Sequence, residues 1–209
     1  MFSLQKFFGK DPQFFSLLSA AAAESQTGAK CLRRILTDNG SELSLFELRQ
    51  SRKRSRELFE QLSELIVVTF VTSLEKEDIE ALSNSIYKIL KPLEKFAERL
   101  SIASEIVKGV DFFAQTKMLE DATSLVVEIV DQVSKTGNLE VVRKLNDSLH
   151  RIETEADQLE ISLLKELYGK KEDALRIILV KDLYDLLEKS IDRCRDVGNI
   201  VMHITLKNS

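Results

Sequence analysis

The sequence predicts an all-α protein of six long helices, arranged as two tandem three-helix bundles. Three observations lead to that class. Only two prolines and seven glycines punctuate 209 residues, too few turn formers for a many-stranded sandwich or barrel. Apolar residues recur at alternating spacings of three and four over long stretches, the signature of one buried helix face. Turn signals then cut the chain into six segments. A 44% apolar fraction beside 31% charged residues excludes a disordered or collagen-like chain. A net charge of −4 excludes a nucleic-acid binder that works by overall basicity.

Asp11-Pro12 opens the first segment, with Asp as the N-cap and Pro at the first helical position. Asn39-Gly40-Ser41 closes it. The second segment spans about 42–71. It ends in the β-branched run Ile66–Thr72, which would read as a strand in isolation. A lone strand has no partner in a helical chain, so this run is expected to be the end of the second helix. Ser73, Lys76, Glu77 and Asp78 begin the third, with acids where a helix N-terminus favours them. Its seam runs through Ile79, Leu82, Ile86, Ile89, Leu93, Phe96, Leu100, Ala103 and Val107, with a kink expected at Pro92. Lys108-Gly109 ends it, and Thr136-Gly137-Asn138 ends the fourth. The fifth carries Val142, Leu145, Leu149, Ile152, Ala156, Leu159 and Leu163 and closes at Tyr168-Gly169. The sixth, about 171–206, carries Val180, Tyr184, Leu187, Ile191, Cys194, Gly198 and Val201. Seams of this kind suit antiparallel helices crossing at about 20°.

The segments group three and three, giving units at 1–108 and 109–209. Similar lead-ins, Lys76-Glu77-Asp78 and Lys171-Glu172-Asp173, precede both third members. The halves differ in charge. Residues 1–108 carry 16 Lys+Arg against 15 Asp+Glu, and residues 109–209 carry 14 against 19. Cys31 and Cys194 each lie in an apolar-periodic stretch and belong to no Cys/His cluster, which reads as two buried thiols. No run approaches the roughly 18 apolar residues of a membrane span. Phe2, Leu4, Phe7 and Phe8, with Lys6 and Lys10, form a short apolar face that packs on the body or makes peripheral contact with a membrane. A cytoplasmic protein is expected.

Two stretches carry possible chemistry. Glu153 and Asp157 in the fifth segment, and Glu188 and Asp192 in the sixth, are pairs four apart beside seam residues. That spacing puts both members on one helix face. Antiparallel packing would bring the pairs together, and converging carboxylates repel unless they are protonated or bridged by a cation. A hard divalent or ferric ion (iron, zinc or similar) suits such a set. Asp185 and Asp196 extend the acidic stripe, and His150 could add a nitrogen ligand. The ordinary alternative is a solvated face paired with Arg151, Lys189, Arg193 and Arg195. The second stretch holds Arg49, Arg52, Lys53, Arg54 and Arg56 within eight residues. It reads as a solvated face or as a site for phosphate, lipid headgroups or an acidic partner. Phosphate loops, GxSxG, HExxH and Glu-x-x-His are all missing, so no catalysis is indicated.

At several of these residues the chain resembles the PhoU-related proteins known as DUF47 or UPF0111. Asp11-Pro12-Gln13-Phe14-Phe15-xx-Leu18 looks like that family's opening. The segment from Thr69-Phe70 through Glu77-Asp78-Ile79-Glu80-Ala81-Leu82 is similar to its TFxTPxDREDIEAL stretch. Leu187-Glu188-xxx-Asp192-Arg193-Cys194-Arg195-Asp196-Val197 resembles its ending. The resemblance implies two PhoU-type bundles and a non-enzymatic cytosolic accessory protein linked to phosphate transport, acting on an inner-membrane, low-affinity phosphate permease. It also implies metal clusters held by E/D-x-x-x-D motifs on two helices of each bundle. The second bundle keeps the motif as Glu153/Asp157 and Glu188/Asp192. In the first, counting along the resemblance places Arg52 and Arg56, then Tyr87 and Lys91, at the motif positions, and the Thr-Pro is Thr72-Ser73. A metal is therefore expected only in the second bundle. The competing expectation is a metal-free helical scaffold or dimerisation module, a homo-oligomer without a transport role.

Overall fold

A computed structural model of the protein describes residues 12–37, 42–135 and 138–208. They form six helices: α1 (Pro12–Thr37), α2 (Glu42–Val68), α3 (Lys76–Ala103), α4 (Phe113–Ser134), α5 (Leu139–Gly169) and α6 (Ala174–Lys207). The expected apolar face at Phe2–Phe8, the Asp11 cap and the turns at Asn39-Gly40-Ser41 and Thr136-Gly137 lie outside the described residues. Among the described residues no helix is long and apolar enough to cross a membrane.

Helix starts follow local chemistry. The Asn138 side chain accepts from the amides of Glu140 (3.0 Å) and Val141 (3.4 Å) to open α5. Asp173 accepts from Leu175 N at 2.8 Å to open α6. These bonds satisfy amides that the first turn leaves without partners. Three boundaries differ from the sequence expectation. The second helix stops at Val68 instead of about 71, because the β-branched residues lose side-chain freedom in a helix. Phe70, just beyond it, is 97% exposed, so no burial compensates. The third helix ends at Ala103, and the chain turns through Gly109, whose φ of 82° favours glycine. Pro92 is buried inside α3, which continues to Ala103. Finally, the Lys-Glu-Asp lead-ins are not equivalent: Lys76–Asp78 is the first turn of α3, whereas 171–173 precede α6.

The true register of the repeat is set by burial. Shifting by the 101 residues that separate Pro12 from Phe113 matches buried Leu18 with Leu119 and Ala22 with Thr123. The same shift matches Ile86 with Leu187 and Phe96 with Val197. Helices α1, α2 and α3 pack on one another, and so do α4, α5 and α6. The two triplets join where α1 meets α4 and α3 meets α6, and one hydrophobic cluster runs through both. Within the described residues α2 touches only α1 and α3, and α5 touches only α4 and α6.

The joined helices are antiparallel. Lys207 at the end of α6 donates to Glu75 (2.6 Å) and Asp78 (2.9 Å) at the start of α3. At the other end, Arg176 donates to the carbonyls of Ile106 and Lys108, just past α3. Ser19 with Asp131 (3.1 Å) and Arg33 with Glu120 (2.5 Å) tie α1 to α4 in the same sense. Aromatic rings bridge the triplets: Phe96 meets Phe112 edge-on at 5.2 Å, and Phe112 meets Tyr184 at 5.6 Å. Such pairs add about 0.5–1.5 kcal/mol beyond their burial.

Gly198 lets α5 and α6 approach closely. A Cβ there would lie 2.5 Å from Asn146 Oδ1 and 2.7 Å from Leu149 Cδ1. Gly198→Ala is therefore expected to cost about 1–3 kcal/mol by overpacking. Gly169→Ala, where a Cβ meets nothing within 4 Å, should be neutral or slightly stabilising. Thermal denaturation of the two variants checks the contrast.

Candidate functional site

The groove between α5 and α6 collects the acids singled out in the sequence. The seam residues Ala156, Leu187 and Ile191 are buried and turn Glu153 and Asp157 on α5 toward Glu188 and Asp192 on α6. All four are half-buried. Their charges are felt at one point: burial, then Asp192, Asp157, Glu153 and Asp185, push the Glu188 carboxyl up to about 7. Glu160, not recognised from the sequence, continues the group. Burial, a hydrogen bond to Asp185, and the charges of Glu188 and Asp185 raise its carboxyl to about 7. The signal was present in the spacing, because 153, 157 and 160 step by four and three along one face.

One cation is already present among these acids. Arg195 pairs with Glu153 through Nη1, with Asp192 through Nη2, and with Asp196 at 3.5 Å. Burial alone would lower its pKa, but Asp192, Glu153 and Asp196 outweigh that and raise it. Asp196 is further held by Arg193 at 2.8 Å. His150 is not directed at the carboxylates; its Nε2 lies 2.8 Å from Asn199 Oδ1, which also accepts from Asn146 at 3.4 Å.

The corresponding groove between α2 and α3 has different contents. The 101-residue shift places Arg52, Arg56, Tyr87 and Lys91 opposite Glu153, Asp157, Glu188 and Asp192, as counting along the resemblance does. Arg52 lies over the Tyr87 ring at 4.2 Å, reaches Glu94 at 3.5 Å and donates to Tyr87 O at 3.4 Å. Phe59 stacks on the same ring at 4.8 Å. Three more basic residues of the stretch are also engaged. Arg54 holds Glu24 (2.6 Å), Arg56 holds Glu60 (2.8 Å) and Lys53 lies 3.6 Å from Glu57. Arg49 is exposed. An open anion pocket is not what this geometry favours.

No family model matches the chain. It is 26% identical over 146 residues to UPF0111 protein YkaA of Bacillus subtilis strain 168, which covers 67% of this chain and 68% of that protein. It is 24% identical over 143 residues, 67% of each chain, to the "Putative pit accessory protein" of Rhizobium meliloti strain 1021. The crystal structure of a PhoU-like protein from Shewanella oneidensis MR-1 superposes with a TM-score of 0.82 over 93% of this chain and 100% of that one, at 15% identity. The chain is thus similar in sequence to UPF0111 proteins and has a PhoU-like fold.

The PhoU-like fold raises the question of a metal at the acidic groove. The donor chemistry suits one, since Glu153, Asp157, Glu188 and Asp192 are all hard oxygen ligands. The placement does not. Among the described residues no three His, Cys, Asp or Glu side chains gather closely enough to hold a metal ion, and Arg195 already engages two of the four carboxylates. The thiols offer no alternative: Cys31 and Cys194 are free but buried, and burial is the leading cause pushing both pKa values up.

The acidic groove gives this PhoU-like protein a pH dependence of definite sign. Folded Glu160 keeps its proton up to about 7, against an ordinary 4.5. Between those values the folded state binds more protons than the unfolded one, so stability falls as pH rises through that window. Glu160→Gln should therefore stabilise the protein at pH 8 by about 1 kcal/mol, after discounting for solvent access, and leave pH 4.5 nearly unchanged. Urea titrations at the two pH values measure the difference.

Proposed function

We propose that this chain is a non-enzymatic, cytoplasmic accessory protein that regulates inorganic phosphate transport by acting on an inner-membrane phosphate permease. The observation that carries the reading is its relationship, over two thirds of both chains, to a protein whose name describes a pit accessory role, in a chain of PhoU-like fold. The chemistry of the grooves agrees with a regulatory role. Arg52 and Arg195 each pair with a carboxylate across the groove, and the buried thiols are held in their unreactive protonated form. A second reading, a metal-free scaffold or homo-oligomer with no transport role, draws support from the Arg195 and Arg52 pairs, which hold each groove closed without a metal.

Uptake of labelled phosphate separates the two readings. Deleting the chain from its host is expected to change the uptake rate, and the tagged protein is expected to co-purify with a phosphate permease from detergent-solubilised membranes. Unchanged uptake together with a permease-free preparation favours the scaffold.

A further inference from the structure

We propose that Arg195 is the resident cation of the acidic groove, a fixed guanidinium that joins α5 to α6 where a metal ion would otherwise be required. The inference is independent of the transport reading. The Glu153 side chain is 14% accessible, less than those of Asp192 and Asp196, and Arg195 pairs with it while itself only 27% accessible. A guanidinium is planar, permanently charged and carries five donors, so a single side chain can hold carboxylates on two sides. Here one nitrogen serves Glu153 from α5, and the other serves Asp192 and Asp196 from α6. A metal drawing on Glu153 and Asp192 would have to displace it.

The first unit supplies independent support. The 101-residue shift that aligns the buried faces also aligns Arg52 with Glu153 and Glu94 with Arg195. Arg52 and Glu94 form an ion pair between α2 and α3, so the same two positions are bonded in both units with the charges exchanged. Carboxylates are missing from the motif positions of the first groove, and its pair can owe nothing to a metal. The equivalence makes Arg195–Glu153 the same kind of fastening: the second unit keeps its acids and neutralises them from within.

The test is thermal unfolding and Mn2+ titration of wild type and Arg195→Gln, each purified through chelator. Wild type should show neither saturable Mn2+ binding nor a shift in Tm on adding the ion. Arg195→Gln should melt roughly 2–6 °C lower without metal and recover part of that loss with Mn2+, as the freed carboxylates accept it. Stoichiometric Mn2+ binding by wild type with an affinity that Arg195→Gln leaves unchanged would overturn the proposal. So would an Arg195→Gln protein as stable as wild type in chelator. Should Arg195→Gln fail to fold, the paired reversal Glu153→Arg/Arg195→Glu, which copies the polarity of Arg52–Glu94, decides. It should regain most of the stability lost in Glu153→Arg alone, and a double variant no better than the single one refutes the pairing.

Discussion

Where α3 lies along α6, and α1 along α4, the buried faces of two three-helix units merge into one apolar core. Phe96, Phe112 and Tyr184 carry that core across the junction, and polar ties at both ends fix the antiparallel alignment. Everything else about the molecule follows from this sharing. The first and third helices of each unit are used on two sides, so they carry the dense apolar positions. The second helices, α2 and α5, are packed on one side only. Their outer surfaces are free to be charged, and the grooves beside them are where ionic groups can sit half-buried.

A half-buried charge must be compensated, because a lone one left out of water costs several kcal/mol. The two grooves meet that requirement with different materials. Between α2 and α3 a single cation, Arg52, is satisfied by an aromatic face, a carbonyl and one carboxylate. Between α5 and α6 there is an excess of acid, relieved in part by Arg195 and in part by protons retained on Glu160 and Glu188. The −4 net charge hides this arrangement, since it averages a nearly neutral half with an acidic one.

The helices were legible in the sequence because their seams, such as Ile79 to Val107, repeat a period that only a buried helical face requires. The acids of the second groove were legible for a related reason, as spacing four places Glu153 with Asp157 and Glu188 with Asp192. The basic stretch was equally visible, but its meaning was not. Whether Arg54 is free or bound to Glu24 depends on a partner 30 residues away, and no local pattern encodes that. The same limit hid the bridging position of Arg195 and the turn of His150 toward Asn199. The run Ile66–Thr72 was placed in the second helix because a lone strand has no partner in a helical chain, but its latter part, with Phe70 and Val71, emerges into solvent beyond Val68. The matching Lys-Glu-Asp tripeptides suggested a repeat register that the packing does not use; buried positions define it better than surface identity does.

The exchange of charge between Arg52–Glu94 and Glu153–Arg195 bears on how the chain avoids a wrong assembly. Two units of similar length and apolar pattern offer each second helix two candidate third helices during folding. Were α2 to dock on α6, Arg52 would face Arg195; were α5 to dock on α3, Glu153 would face Glu94. Like charges brought together at a half-buried position penalise both mistakes, while the correct pairings are each neutralised. The inverted polarity thus works as an address, telling the two third helices apart within one polypeptide.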